Sequence, residues 1–362
     1  MLYTNLSSSL SLGSILLLTF LLICKLRAVQ THLLRCIPGP TLASLTDIPY
    51  SYWSLSGRKD FIILSLHAKY GPVVRVAPNE LSFNSAQSWR DIYGGHPPFQ
   101  KSALYDGAWF ANLGVYGITT SRDEDQHSLM RKYLAPAFSH SALRAQEGLV
   151  AEHVDELIGW MREKSIQGSE IMDLEVWMRM CTFDITGSLA FGQGFNALKN
   201  SQHPAVRFIN GSLRQVSLAD ALRRYPYLRN IIALVFSRTL LKLMHGMKMF
   251  ESFALTTIRH RLANPLKRPD FLTRIQENLD PSSPHPIVVQ IAAHAGDFMS
   301  AGSDTSNTTV GTVLNYALRS PDLYNRLTTE IRTKFKSYQD INAQDAAALP
   351  FLKLLILEAL RI

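Results

Sequence analysis

The sequence predicts a mainly α-helical protein with one small β-sheet (α+β), preceded by a single N-terminal transmembrane helix. Three observations predict it. Beyond residue 84 most apolar residues recur at helical spacing. Strand signals are confined to 73–84. An apolar, uncharged run opens the chain. Of 362 residues, 46% are apolar and 18% charged, which is too hydrophobic for a disordered chain and enough for one large core or two ordinary ones. The formal net charge is +8. The three cysteines, Cys24, Cys36 and Cys181, show no CxxC spacing, which argues against a disulfide scaffold or a zinc module and leaves no metal site to assign.

The first acid in the chain is Asp47. Leu6 to Cys24 as a helix would span about 28 Å at ~1.5 Å per residue, close to a bilayer core. Lys25, Arg27 and Arg35 follow, which places the remainder on the cytosolic side. A cleaved signal peptide fits less well, because no basic region precedes the apolar run. The organisation read from this is an anchor at 1–24, a basic linker at 25–40 ending in Pro38–Gly39–Pro40, and one domain over 41–362.

Arg58 to Lys69 reads as a helix stopped at Tyr70–Gly71–Pro72, with Gly71 as its C-cap. Val73–Ala77 and Leu81–Phe83 read as two strands around a turn. Asp123 to Phe138 reads as a helix with His127 and Arg131 on one face. Met172 to Phe191 reads as another, with Leu174, Trp177, Met178, Cys181 and Ile185 inward and Cys181 a small buried hydrophobe. Residues 221–269 hold ten Lys/Arg against one acid, Glu251. That suits either anionic headgroups or a solvated basic face. No nucleic-acid motif accompanies it, so no nucleic-acid partner is expected.

Pro286 to Leu318 is the most informative stretch. Ile287, Ile291, Ala292, Ala295, Phe298 and Met299 form an apolar face, which resumes at Val310, Val313, Leu314 and Leu318. Between them lies Ala301–Gly302–Ser303–Asp304–Thr305–Ser306. Glycine costs about 1 kcal/mol against alanine inside a helix. Thr305 can bond back to the Ala301 carbonyl and open the ladder there. A carboxylate beside a hydroxyl at such a turn could pass protons to something bound against the helix. Ser320–Pro321 caps the next helix, to about Phe335, and Leu349–Pro350 opens the last. On that last helix Glu358 and Arg361 lie at i, i+3, either as an exposed pair of little weight or, given the apolar residues around them, as part of a buried network.

In this order, the motifs resemble the cytochrome P450 family of haem-thiolate monooxygenases in its membrane-anchored form: anchor, Pro-Gly-Pro hinge, 73–84 hairpin, Arg131 helix, 301–306 motif, and Glu358–Ala359–Leu360–Arg361. Asp184 to Gly192 and Arg131 to Ser139 look like fungal members that tailor small lipophilic metabolites. The resemblance implies a haem cofactor, a flavoprotein reductase using NADPH, a small lipophilic substrate and an endoplasmic-reticulum membrane. It implies that Arg131, and with it His127 in a position often held by tryptophan, binds a haem propionate. Ala301 and Gly302 would line the haem's distal face. Asp304 and Thr305 would deliver protons to bound dioxygen. Glu358 and Arg361 would pin the last helix to the haem core, while 99–117 and parts of 205–245 would shape the substrate pocket.

The sequence departs from that pattern in one respect. The family's iron is held by a cysteine in a glycine-rich loop beyond Glu-x-x-Arg, and no cysteine follows Cys181 here. The expectation is therefore a domain incomplete at its C-terminus, without oxygen activation, whose 286–318 helix shows an uncovered apolar face. The competing expectation is a non-catalytic membrane protein that binds a lipophile or a partner. A multi-span transporter is excluded, because no uncharged apolar run after residue 24 approaches the length of a span.

Overall fold

The computed structural model describes residues 30–95, 97–107, 114–167, 172–200, 216–227, 234–264, 271–278 and 287–362, with Thr19, Phe20, Ile23, Cys24, Arg27 and Ile231 besides. The anchor expected at 1–24 thus lies almost wholly outside the described residues, as do Pro286 and parts of 99–117 and 205–245. Among the described residues no helix is long and apolar enough to cross a membrane. The chain divides into two compact units, one from Met1–Leu104 with Leu213–Ser237, the other from Tyr105–Ser212 with Arg238–Ile362.

In the first unit, helices α1 (Ile48–Leu55) and α2 (Lys59–Tyr70) precede strands β1 (Val73–Ala77) and β2 (Glu80–Phe83), and α3 (Ala86–Gly94) follows them. Gly71 ends α2 at φ +98°, a backbone state that L side chains resist, and its N–H donates to the His67 carbonyl at 2.9 Å. The buried His67 ring contacts the Gly71 carbonyl at 2.9 Å and Ser82 Oγ at 2.8 Å, so it staples the helix end to β2. The strands pair antiparallel, Val73 with Phe83 and Val74 with Ser82, with an irregularity between Arg75 and Ala77. The Pro38–Gly39–Pro40 segment is not a free hinge. Arg75 N–H donates to the Pro38 carbonyl at 2.8 Å, and a Cβ on Gly39 would stand 2.3 Å from the Arg75 carbonyl oxygen. Only glycine lets the two backbones come that close.

The basic stretch contributes a second fixture to this unit. Arg224, its side chain 7% exposed, pairs with Asp220 at 2.8 Å, Asp47 at 2.8 Å and Glu80 at 2.6 Å, and its guanidinium lies 4.1 Å from the Tyr50 ring centroid. Burial pulls its pKa down, but the carboxylates more than offset this and hold it above the ordinary arginine value. Asp47 stands at the N-cap of α1 yet makes no side-chain cap bond; its carboxylate serves Arg224 instead.

The second unit holds α4 (Glu124–Leu134), α5 (Glu147–Gln167), α6 (Leu174–Ala190), α7 (Ser237–Ala263), α8 (Phe271–Asn278), α9 (Ile287–Arg319), α10 (Pro321–Lys334) and α11 (Pro350–Arg361). Asp123 caps α4 through Gln126 N–H at 2.8 Å, and Pro136 turns the helix end into a 3₁₀ segment, Ala135–Phe138. Asp173 caps α6, so that helix starts two residues later than Met172. Its inward face matches the expectation: Met178 and Cys181 are buried, and Leu174, Trp177 and Ile185 pack on the core. Fully buried Phe183, Phe191, Phe250, Ile258, Ile291 and Met299 centre that core. The Asp184–Gly192 stretch has a structural reason. Buried Asp184 accepts the N–H groups of Phe195, Ala197 and Leu198 at 2.9, 3.1 and 3.0 Å.

One expectation about the helices is corrected, and one pair of alternatives narrows. The ladder does not open at 301–306, because α9 is helical without a break from Ile287 to Arg319. Thr305 Oγ1 does donate to the Ala301 carbonyl, at 2.6 Å, and Thr309 Oγ1 to that of Thr305 at 2.9 Å, but a carbonyl has two lone pairs and shares its oxygen with the ladder. Of the two alternatives for Glu358 and Arg361, the described residues show the exposed pair. Arg361 reaches Glu358 at 2.7 and 2.8 Å, with side chains 70% and 53% exposed. Each holds the other's charged form, lowering the carboxyl pKa and raising that of the guanidinium. The N-terminus of α11 is satisfied from another helix, because Leu349 has no capping side chain. Glu330 of α10 accepts Phe351 N–H at 2.8 Å and Leu352 N–H at 3.0 Å.

Candidate active site

Helix α9 packs most extensively on α6, and Gly302 lies at the contact. A Cβ there would stand 3.0 Å from Thr186 Oγ1. The glycine that looked costly in a helix interior thus faces a tight contact, which a larger side chain would enter only by displacing the Thr186 side chain. Ala301 and Gly302 border an apolar cavity of about 430 Å³, together with Phe138, Phe271, Phe298 and Thr186. The three aromatic rings pack tilted and edge to face, at centroid distances of 4.6 to 5.7 Å. A second, more open hollow of about 520 Å³ over His140, Ser141, Arg144 and Ala145 carries no part of the motif.

The 301–306 residues split by helical phase. Ser303 is buried, Ala301, Thr305 and Ser306 are exposed, and Gly302 and Asp304 are intermediate. Asp304 turns toward α6, where its Oδ1 lies 3.6 Å from Arg179 Nε. Arg179 also pairs with Glu175 one turn earlier. Asp304 and Thr305 are therefore neighbours in sequence with different partners, an arginine and a backbone carbonyl.

On α4, His127 is half-buried and Arg131 exposed, four residues apart on one face as expected. The tie from this helix to α9 is made by Tyr133. Its hydroxyl meets His294 Nε2 at 2.5 Å, with the rings edge to face at 5.6 Å. Burial raises the phenol's pKa and pushes the imidazole down to about 4, so the bond joins two neutral groups. Tyr133, His294, Asp297 and Arg179 are the site-region residues that sequence reasoning passed over. A signal for two of them existed: His294 and Asp297 are polar residues set inside the apolar face of α9.

None of the three cysteines among the described residues is set up to ligate a haem iron. Cys181 is buried, with its Sγ donating to the His153 carbonyl at 3.5 Å. Burial, with Asp184 and Glu156 nearby, pushes the thiol up to about 12, so it stays protonated, whereas an iron ligand must be a thiolate. Cys24 and Cys36 are exposed. Among the described residues no cluster of His, Cys, Asp and Glu could hold a metal ion.

The described residues form a mainly helical α+β chain with one two-stranded sheet and a long helix that carries Ala-Gly-x-Asp-Thr at its middle. The cytochrome P450 family profile matches residues 56–362. A cytochrome P450 monooxygenase, ORF11, of Penicillium roqueforti is 41% identical over 346 residues, covering 94% of this chain and 70% of that protein. BipB of Cochliobolus sativus is 36% identical over 92% of this chain and 67% of its own length. The monooxygenase lcsI of Purpureocillium lilacinum is 33% identical over 95% and 67%. The chain belongs to the cytochrome P450 family, whose cofactor is haem and whose members generally use a redox partner and a small lipophilic substrate.

Proposed function

We propose that these 362 residues form the oxygen-facing and substrate-facing part of a fungal-type monooxygenase that oxidises a small lipophilic metabolite, and that by themselves they carry no thiolate-ligated iron. The observation that supports this best is the middle of α9. There Thr305 bonds back to Ala301 at 2.6 Å, while Ala301 and Gly302 open onto an apolar cavity of about 430 Å³. In this reading the Thr305 hydroxyl and the Asp304 carboxylate hold and pass protons at that point, with Arg179 as the countercharge of Asp304. Exposed Arg131, with His127 beside it, presents a cation to an acidic group of the cofactor. Ala301 and Gly302 keep the helix surface low enough for a flat ligand. Glu358 and Arg361 stay available on the surface of α11 for a further segment. No step of oxygen chemistry is assigned to the residues present, because none of them supplies the iron ligand.

The domain division at 1–24, 25–40 and 41–362 belongs to the same reading. So do an anchor in the endoplasmic-reticulum membrane, a cytosolic body and an NADPH-dependent flavoprotein reductase. Their support is the apolar run before Lys25 and the excess of Lys/Arg over acids in 221–269. Alkaline extraction of membranes checks the anchor: the full chain should remain in the pellet, and a chain starting at residue 25 should be released far more readily.

The reading is tested by reduced CO spectra of the chain alone and of the chain fused to a haem-thiolate segment from another cytochrome P450. The chain alone should show no thiolate-type band and the fusion should show one, with product formation coupled less tightly to electron uptake in Thr305→Ala. A thiolate band from the chain alone, or none from the fusion, would count against it. A non-catalytic lipophile-binding protein is the competing reading. The same cavity favours it, and it would show lipophile binding with no such spectrum in either form.

A further inference from the structure

Asp297 is a carboxylate on the buried part of α9, 5% exposed, one turn before Ala301. Asp297, Ala301 and Thr305 follow one i, i+4 row of the helix. Asp297 Oδ2 accepts the Thr119 N–H at 2.9 Å. The chain makes a tight turn at this point: Gly117 N–H donates to Thr120 Oγ1 at 3.1 Å, and Ser121 N–H returns to the Gly117 carbonyl at 2.9 Å. Gly117 lies so close that a Cβ would stand 2.1 Å from Asp297 Oδ2 and 3.1 Å from the Ala293 carbonyl oxygen. Buried Val115 and partly buried Ile118 anchor the turn on the core. Beyond it, Arg122 grips Asp106 at 2.8 and 3.0 Å. Burying a carboxylate is costly unless it is bonded, and an alanine would fill the place without that cost. What the carboxylate holds accounts for its presence.

We propose that Asp297 is a positioning residue for the substrate side of α9. It fixes the turn Gly117–Ser121 against α9 at Asp297 and Ala293, one helical turn before Ala301, and so sets how wide a lipophile can lie where the row reaches Ala301. The inference rests on reading Ala301 and Thr305 as the oxygen-facing residues.

The full chain is compared as wild type, Asp297→Ala, Asp297→Asn and Gly117→Ala. Amide hydrogen exchange follows the turn, and two fluorescent ligands follow the space beside it: cis-parinaric acid, which is narrow, and 1-anilinonaphthalene-8-sulfonate, which is broad. Asp297→Ala removes a hydrogen bond to a charged acceptor and should speed exchange over 117–121 about tenfold. Exchange over 174–190 should not change. The ratio of the two dissociation constants should shift toward the broad probe about fivefold, on the scale of one lost contact. Asp297→Asn keeps an acceptor for Thr119 and should return both readouts to wild type. Gly117→Ala should reproduce Asp297→Ala from the opposite side of the contact. Unchanged exchange in Asp297→Ala overturns the proposal. Faster exchange with an unchanged probe ratio makes the bond structural only and overturns the positioning role. Wild type that binds neither probe overturns it too. Probe binding that shifts as expected, with no haem spectrum from the fusion described above, upholds the positioning and rejects the monooxygenase reading instead.

Discussion

The two halves of α9 have similar apolar patterns and opposite surroundings. From Ile291 to Met299 nearly every residue is buried, polar His294 and Asp297 included. Beyond Ala301, Val310 is 46% and Leu318 65% exposed, while Ser303, Asn307 and Ala317 keep a single buried edge. The difference teaches that apolar periodicity reports a face that needs cover, not the cover itself. The first half carries the Tyr133 bond to His294 and the 117–121 turn on Asp297, and α6 reaches past the middle to Gly302 and Asp304. The helix also packs on α10 and α11, and Leu354, Leu357 and Leu360 of α11 are exposed as well.

The largest contrast should come from truncating apolar residues in each half. Ile291→Ala should cost about 2–5 kcal/mol through lost burial and a cavity. Leu318→Ala should stay within about 0.5 kcal/mol, as surface changes do. Urea midpoints measure both, and similar losses would erase the distinction between the halves.

Next in size is the effect of acid on the buried half. An unfolded histidine titrates near 6.5, whereas His294 in place is pushed down to about 4. Between those values the unfolded chain binds a proton that the folded chain does not, so stability falls as pH drops through that window. The loss should approach about 3 kcal/mol, with no contribution from this group to the slope above about pH 7. His294→Gln keeps a hydrogen-bonding amide for the Tyr133 hydroxyl without titrating, and should flatten that part of the profile. An equally steep slope in that variant would assign the effect to other groups.

A smaller effect belongs to the cap of α11. Glu330→Ala removes the acceptor of two N–H groups and should cost about 1 kcal/mol, as helix caps do. Glu330→Gln should keep part of it. Amide exchange at Phe351 and Leu352 resolves the change. The smallest effect should be that of Glu358→Gln, since the exposed pair with Arg361 is screened by water. A thermal midpoint indistinguishable from wild type is the expected result, and a clear drop would show that the pair does more than its exposure allows.

Much of this was legible along the chain. Gly71, the 73–83 hairpin, the Asp123 helix and the Ser320–Pro321 start are local events, and their signals lie within a few residues of one another. The back-bond from Thr305 to Ala301 spans one turn and was equally readable. The Asp304–Arg179 pair, the Tyr133–His294 bond and the Glu330 cap were not, because each joins residues far apart in sequence and only packing brings them together. The expected opening of the helix at 301–306 erred for a local reason: the Ala301 carbonyl accepts Thr305 Oγ1 without leaving the helix ladder.

By itself the sequence determined the helical class, the position of the sheet, and the 301–306 motif with its family. Those depend on periodicity, turn residues and residue identity, which are properties of the chain. Only the tertiary structure decided which half of α9 is covered, that Asp304 faces an arginine, and that Glu358–Arg361 lies in water. Burial and partner distance set the cost of each charge and the fate of each proton, and neither exists until distant segments pack.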